Sequence, residues 1–379
     1  MGRSRFTEAD LAHLRHALRL AAKGEGQTSP NPMVGAVLVR GGRVVGTGYH
    51  TRAGAPHAEV VALEQAGRRA RGARLYVNLE PCCHFGRTPP CVEAIVAAGV
   101  REVVACMRDP DSRVNGKGFR ALRGAGVAVR VGALPEEAGR LNERFLRFAR
   151  SGVPFVTLKA GMSLDGRIAT RGGESRWITS ARARAEARGL RGRHDAVLVG
   201  VKTVLADDPR LAASDGRRPV RVVLDARLRT PPAARLLRDG AGGETLVLTR
   251  PGASAARRRR LEQAGALVVE VPARGGRIEL PKALAELGRR GITSVLVEGG
   301  SEVLGSALDQ GVGDRAVLYV AGTILGGRAA RPVFGGKGAR RLRQAVRLKD
   351  LSVRPVGPDF VFEGRLAFPR GPGASRRSA

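Results

Sequence analysis

Aromatic residues supply only 4% of this 379-residue chain, with a single tryptophan, Trp177, and there are just four cysteines. So few aromatics, none interleaved with the basic runs, argue against a surface that stacks nucleic-acid bases. Nor is there an apolar run near the roughly 18 to 20 residues that a membrane span needs. Glu8 and Asp10 fall where a signal peptide requires an unbroken apolar stretch, so a cytoplasmic location is expected. Acidic residues are scarce too: 34 Asp and Glu against 66 Lys and Arg leave a formal charge of +32. Only seven of those cations are lysine, and the arginines run along the whole chain, a pattern that suggests coding bias at least as much as a binding face. An anionic small molecule is therefore expected as partner ahead of nucleic acid, with no membrane association. Finally, no G-x-G-x-x-G occurs, so a Rossmann dinucleotide site has no support.

What is present is apolar material, 43% of residues, enough for two cores of ordinary size. "MVGAVLVRGGRVVGTGYH" reads as a hairpin turning at Gly41-Gly42. "PHAEVVALEQAG" reads as a helix starting near Pro56 and stopping at Gly67, "ARLYVNLE" as a strand, and "PPCVEAIVAAG" as a second helix ending at Gly99. With "VREVVACM", "GFRALRGAG" and "VAVRVG" the order becomes β-hairpin, α, β, α, β, α, β, a layered α/β domain. After the charged helix in "LNERFLRFARSGV" comes a Ser151-Gly152 break, and strands and helices then alternate again. The expected division is residues 1–148, residues 152–369 and a disordered tail at 370–379.

Three of the four cysteines crowd into "EPCCHFGRTPPC", with Cys106 apart from them, which is no disulfide framework. "HAE" places His57 and Glu59 at one helix start, while Cys82 and Cys91 flank the loop, Cys91 at the start of the next helix. A helix N-terminus favours the thiolate a metal requires, so a low thiol pKa is expected there. One His and two Cys around Zn²⁺ leave a fourth position open, as catalytic zinc sites do. Glu59, not a ligand, is then placed to shuttle protons. The bland alternatives are a satisfied core histidine and buried thiols. H-x-E followed by P-C is the signature of zinc-dependent nucleobase deaminases, in which activated water attacks an amino-bearing ring carbon and the Glu protonates the departing ammonia. Here eight residues, not two, separate Cys82 from Cys91, and the insert offers His84, Arg87 and Thr88 as donors suited to phosphate.

Together with "NPMVGAVLV", "HTRAGAPHAEVVAL", "KAGMSLDGRIA", "WITS", "TVLADDPRL" and "VEGG", these residues resemble the bifunctional riboflavin-biosynthesis deaminase-reductases over essentially the whole chain. The resemblance implies a cytidine-deaminase-like α/β/α domain that deaminates 2,5-diamino-6-(5-phosphoribosylamino)pyrimidin-4(3H)-one. A dihydrofolate-reductase-like α/β domain would then reduce the ribosyl group of the product to ribityl with NADPH. It implies one zinc on His57, Cys82 and Cys91, with Glu59 as proton shuttle, and Asn31, His50, His84, Arg87 and Asp109 around the base and phosphate. Cys83 stands where the family usually has Ser, and Asp111 where Asn is common.

In the second half "SVLVEGGSEVLGSAL" reads as strand, Glu298, a glycine pair, helix; a cofactor phosphate site and a plain strand-to-helix turn fit it equally. By resemblance, Gly161, Trp177, Thr203 and Asp207 line the NADPH site with Gly300, Ser301, Glu302, Val303, Leu304, Gly305 and Ser306. Lys159, Ser175, Arg191, Leu211 and Glu298 would face the substrate. Trp177 fits a core position as well, and Ser214 stands where the family often has arginine. A homo-oligomer is expected. The reading from another class is a nucleic-acid base deaminase with an accessory α/β domain.

Overall fold

The computed structural model describes residues 6–86, 88–238 and 243–369. The tail expected at 370–379 lies outside the described residues. The chain divides into two compact units, Met1–Gly152 and Val153–Ala379.

The first unit begins with α1 (Glu8–Ala22) and the hairpin β1 (Gly35–Arg40) and β2 (Arg43–Tyr49). Then follow α2 (Ala58–Ala66), β3 (Arg74–Val77), α3 (Cys91–Ala97), β4 (Glu102–Ala105), α4 (Lys117–Gly124) and β5 (Ala128–Val131). Helices α5 (Pro135–Leu141) and α6 (Glu143–Ser151) close it. The sheet order is β2-β1-β3-β4-β5, with β1 antiparallel to both its neighbours and β3, β4 and β5 parallel. Alternation along the strands builds two cores. Ala36, Leu38, Leu75 and Val77 face α2, α3 and α4, whereas Val37, Val39 and Tyr76 face α1.

Close approach sets where α2 starts, and with it His57. A Cβ on Gly48 would lie 2.3 Å from the Ala58 carbonyl oxygen, so only glycine lets the helix rest on the hairpin there. Helix α1 is fixed by a capping box, Asp10 N–H to Thr7 Oγ1 at 3.1 Å and Thr7 N–H to Asp10 Oδ2 at 3.0 Å. The same buried carboxylate accepts from Tyr76 and from the Arg130 guanidinium.

The second unit starts with β6 (Phe155–Ser163), β7 (Arg167–Ala169), α7 (Ala181–Gly192), β8 (Ala196–Gly200), α8 (Val201–Asp207) and β9 (Val220–Leu224). It continues with α9 (Arg235–Arg238), β10 (Thr245–Thr249), α10 (Ala255–Gln263), β11 (Ala266–Glu270) and the small pair β12 (Ala273–Arg274) and β13 (Arg277–Ile278). Next come α11 (Leu280–Arg289), β14 (Ser294–Val297), α12 (Ser301–Asp309), β15 (Arg315–Ala321) and β16 (Arg331–Pro332). A hairpin of β17 (Arg347–Val356) and β18 (Asp359–Ala367) ends the described chain.

Nine strands form one sheet in the order β11-β10-β9-β8-β14-β6-β15-β18-β17, parallel from β11 through β15 and antiparallel beyond. The terminal hairpin escapes the sequence reading, because β17 is exposed along nearly its whole length and carries no apolar alternation of inward residues. Inward residues of β6, β8, β9 and β10 pack under α11 and α12, while the opposite face packs against α8 and α10. Leaving β6, the chain passes over the β14 position to β8, winds outward to β11, then returns to β14 and crosses β6 to β15. The carboxyl ends of β8 and β14 are therefore the switch point, where ligands of doubly wound sheets bind.

Candidate functional site

His57 is the N-cap residue of α2 and Glu59 lies in that helix's first turn; Cys91 opens α3. The loop out of β3 brings Cys82 back to them. His57 Nδ1 lies 3.1 Å from Cys91 Sγ and 3.4 Å from Cys82 Sγ, and the three donor atoms are all within 4.8 Å of one another. One imidazole nitrogen and two sulfurs converging at this range fit a single Zn²⁺ and leave room in a tetrahedral shell for one further ligand. Glu59 is buried beside them. Its carboxyl is pushed up to about 7, first by burial and then by the Cys82 charge.

Hydrogen bonding from Cys91, then from His57, holds Cys82 down at about 4, while the same sulfur contact and burial raise the Cys91 thiol. Cys82 Sγ also accepts the Cys91 backbone N–H at 3.3 Å, which favours its thiolate. His57 is raised, chiefly through its bond to Cys82.

Of the residues expected around the base, His50 stands edge-on to His57 with ring centroids 5.2 Å apart. Its Nδ1 faces the Pro56 carbonyl at 3.2 Å and its Nε2 faces Asn31 Nδ2 at 3.1 Å. A carbonyl on one side and an amide N–H on the other select the neutral tautomer protonated at Nδ1. Burial lowers its pKa in the same direction. Asp109 is buried, its carboxyl pushed up to about 7 by burial. His84 is half-buried on the insert, contacting the Phe85 carbonyl. Arg87 lies outside the described residues.

Three features were missed from sequence. Thr88 Oγ1 sits 3.2 Å from His57 Nε2, so it tethers the histidine as well as lining the insert. Asp111 accepts from the Arg113 backbone N–H and from both Nε and Nη2 of its guanidinium. The spacing D-x-R was the available signal: it lets a carboxylate replace an amide without adding net charge. Cys83 Sγ reaches the Arg113 carbonyl at 3.8 Å and stands apart from the His57, Cys82 and Cys91 cluster. Glu80, which the sequence reading did not single out, is taken up below.

In the second unit Arg191 grips Glu298 through Nε and Nη2, both at 2.8 Å, and Lys159 Nζ lies 4.0 Å from the same carboxylate. Burial alone would raise Glu298, yet Lys159 and Arg191 hold it below its ordinary value. A third Arg191 nitrogen donates to Ala212, next to buried Leu211. Gly300 caps α12 with φ 55°, and a Cβ there would come 3.2 Å from Thr203 Oγ1 on α8. Here the first N–H groups of α12, those of Ser301 and Glu302, lie at the switch point. Val303 and Leu304 already donate to the Gly300 carbonyl. Leu304 is in the core, and Gly305 backs onto Gly335, while Ser306 lies a turn further along.

Asp207, at the end of α8, accepts from Arg176, and Gly161 lies on β6 against Thr179. Trp177 is 67% exposed with the Arg184 guanidinium 4.1 Å above its ring, so the core reading for it is excluded. Ser175 and Ser214 are both exposed.

Fold and site thus define a two-unit enzyme, a zinc-type deaminase unit followed by a doubly wound reductase-type unit. Residues 7–107 match the cytidine and deoxycytidylate deaminase zinc-binding region, and residues 154–362 match the RibD C-terminal domain. The riboflavin biosynthesis protein RibD of Bacillus amyloliquefaciens is 43% identical over 92% of this chain and 94% of its own length. The structure of Acinetobacter baumannii RibD is 37% identical with a TM-score of 0.85, covering 95% of this chain and 99% of that one. A diaminohydroxyphosphoribosylaminopyrimidine deaminase/5-amino-6-(5-phosphoribosylamino)uracil reductase from Thermotoga maritima is 33% identical, with a TM-score of 0.82 and the same coverage. The chain belongs to the RibD family of riboflavin biosynthesis proteins.

Proposed function

We propose that the first unit hydrolytically deaminates 2,5-diamino-6-(5-phosphoribosylamino)pyrimidin-4(3H)-one and that the second reduces the ribosyl group of the resulting 5-amino-6-(5-phosphoribosylamino)uracil. The observation that carries this reading is the convergence of His57, Cys82 and Cys91 on one point with Glu59 buried beside it. When bound, zinc on those three ligands supplies a Lewis acid that makes water nucleophilic near neutral pH, and NADPH in the second unit supplies hydride.

Glu59, poised near 7, accepts the proton of the attacking water and passes it to the departing amine. Neutral His50, both of whose nitrogens are engaged, orients the Asn31 amide, which offers its remaining donor and acceptor to the pyrimidine edge, and Asp109, with its raised pKa, offers an O–H. His84 and Arg87 suit the phosphate. In the second unit the open form of the aminosugar is an imine; hydride adds to its carbon, and the nitrogen takes a proton. Lys159, Arg191 and Glu298 line the substrate side, with exposed Ser175 at the rim and buried Leu211 behind, next to the Ala212 carbonyl that Arg191 holds. Gly161, Trp177, Thr203, Asp207 and the α12 N-terminus line the cofactor side, holding the two carbons together and excluding water.

The substrates are phosphorylated small molecules. Nucleic acid is not among the partners we infer, since exposed aromatics are not interleaved with the arginines. We infer a homo-oligomer from Val353 and Phe360, each 51% exposed on one face of the β17–β18 hairpin. Four unpaired cysteines support a cytoplasmic setting, and among the described residues no helix is long and apolar enough to cross a membrane.

The test is direct. Purified protein with zinc, NADPH and the diaminopyrimidine phosphate should release ammonia and then consume NADPH, each followed separately. Release of ammonia without NADPH loss would leave only the deaminase half of the reading standing; neither would end both.

A further inference from the structure

Gly116, the N-cap residue of α4, has no side chain with which to cap it, and the N–H groups at this helix start meet a buried partner. What meets them is Glu80, the sixth residue of "LYVNLEPCC" and two residues before Cys82. The Glu80 side chain is buried, and its two oxygens accept three backbone N–H groups. Gly116 donates to Oε2 at 2.9 Å, Phe119 to Oε1 at 3.1 Å, and Asp109 to Oε2 at 3.2 Å. A carboxylate from another loop thus caps α4 and complements its N-terminal dipole.

The crossing is tight on both sides. A Cβ on Gly118 would fall 2.1 Å from the Pro81 carbonyl oxygen, so α4 rests on the chain that leads into Cys82. Phe119 and Leu122 of the same helix are buried in the core that holds Cys91. Between Asp109 and Gly116 the chain carries Asp111 and Arg113, and Asp109 Oδ1 in turn accepts the Asp111 N–H at 2.8 Å. Both ends of this loop, Asp109 and Gly116, are therefore held by one side chain that belongs to the segment carrying Cys82.

We infer that Glu80 is a positioning residue of the deaminase site, fixing the 109–116 loop relative to the Cys82 loop so that Asp109 and its neighbours meet the substrate. This rests on the deaminase reading above. Glu80 touches neither substrate nor metal; it acts through the loop it holds.

Full-length Glu80→Gln and Glu80→Ala decide the matter. Whichever way a glutamine turns, at least one of the three N–H groups faces an N–H donor instead of an oxygen, and alanine removes both acceptor oxygens. Amide hydrogen exchange at Asp109, Gly116 and Phe119 should speed up at least about tenfold, the factor one lost charge-assisted bond commands. KM for the diamino substrate should rise about tenfold or more and kcat should change far less. Zinc content and NADPH oxidation with deaminated substrate should stay at the parent level, with Gln intermediate between parent and Ala. KM within about twofold of the parent despite faster exchange overturns the inference, as does unchanged exchange. Loss of zinc from Glu80→Gln also overturns it, since the residue would then be holding up the fold. If Ala does not fold, Gln alone decides. Failure of the parent to release ammonia would strike the deaminase reading, while exchange still tests the clamp.

Discussion

His57 turns Nδ1 toward Cys91 Sγ at 3.1 Å, which leaves its Nε2 to Thr88 Oγ1 at 3.2 Å. A ligand histidine whose far nitrogen is tied down keeps both its tautomer and its ring plane. Thr88→Val keeps the shape and removes the partner. Zinc affinity, measured by competition with a chelator, should weaken about 10- to 100-fold. An unchanged affinity would mean that the α2 cap position alone orients the ring.

The two neighbouring thiols should behave oppositely. Cys91→Ala removes a sulfur from the cluster, and elemental analysis should find the metal lost. Cys83 lies on the Arg113 carbonyl instead, so Cys83→Ser should keep both zinc and ammonia release. Zinc lost from Cys83→Ser would mean that the coordination is wrong.

Glu59→Gln separates the two activities. Glutamine preserves size but cannot take up the proton, so deamination should fall by about 10² to 10⁴. Supplied with deaminated substrate, the variant should oxidise NADPH at close to the parent rate. Near-normal ammonia release would place the proton shuttle elsewhere.

Glu298→Gln is the counterpart in the second unit. It leaves the half-buried Arg191 guanidinium and Lys159 without their carboxylate. Reductase kcat/KM should fall at least about tenfold, and that unit should lose about 3 kcal/mol. Ammonia release from the same chain serves as the internal reference. A reductase that keeps its kcat/KM while melting earlier would reduce Glu298 to a purely structural part.

Asp10 ties acid stability to the first unit. Burial would raise its carboxyl, but Arg130, the Thr7 N–H and Tyr76 outweigh burial and hold it well below the ordinary 3.8. A depressed folded pKa contributes stability that is complete above 3.8 and drains away as the pH falls below it. Asp10→Asn should cost about 3 kcal/mol at neutral pH and flatten the acid limb of the unfolding curve. Equal acid sensitivity in parent and variant, read by denaturant melts from pH 6 downward, would clear Asp10 of that role.

Local physics alone was enough to read much of this protein. The hairpin at Gly41-Gly42, the α2 stop at Gly67 and the alternating elements up to β15 follow from turn chemistry and apolar period, which act over a few residues. H-x-E and the flanking cysteines were legible because metal chemistry restricts ligand types so narrowly. Tertiary structure decided what depends on partners distant in sequence. The metal-type cluster itself depends on Cys82 meeting Cys91 and His57. That Thr88 holds a histidine 31 residues away, and that Glu80 caps a helix 36 residues on, has no local signature. The β17–β18 hairpin was hidden for the opposite reason: an exposed edge strand obeys no burial pattern, and only pairing with β18, which itself lies on β15, makes β17 a strand. Periodicity records which face a segment buries; which side chain waits across the gap is fixed only when the chain folds back on itself.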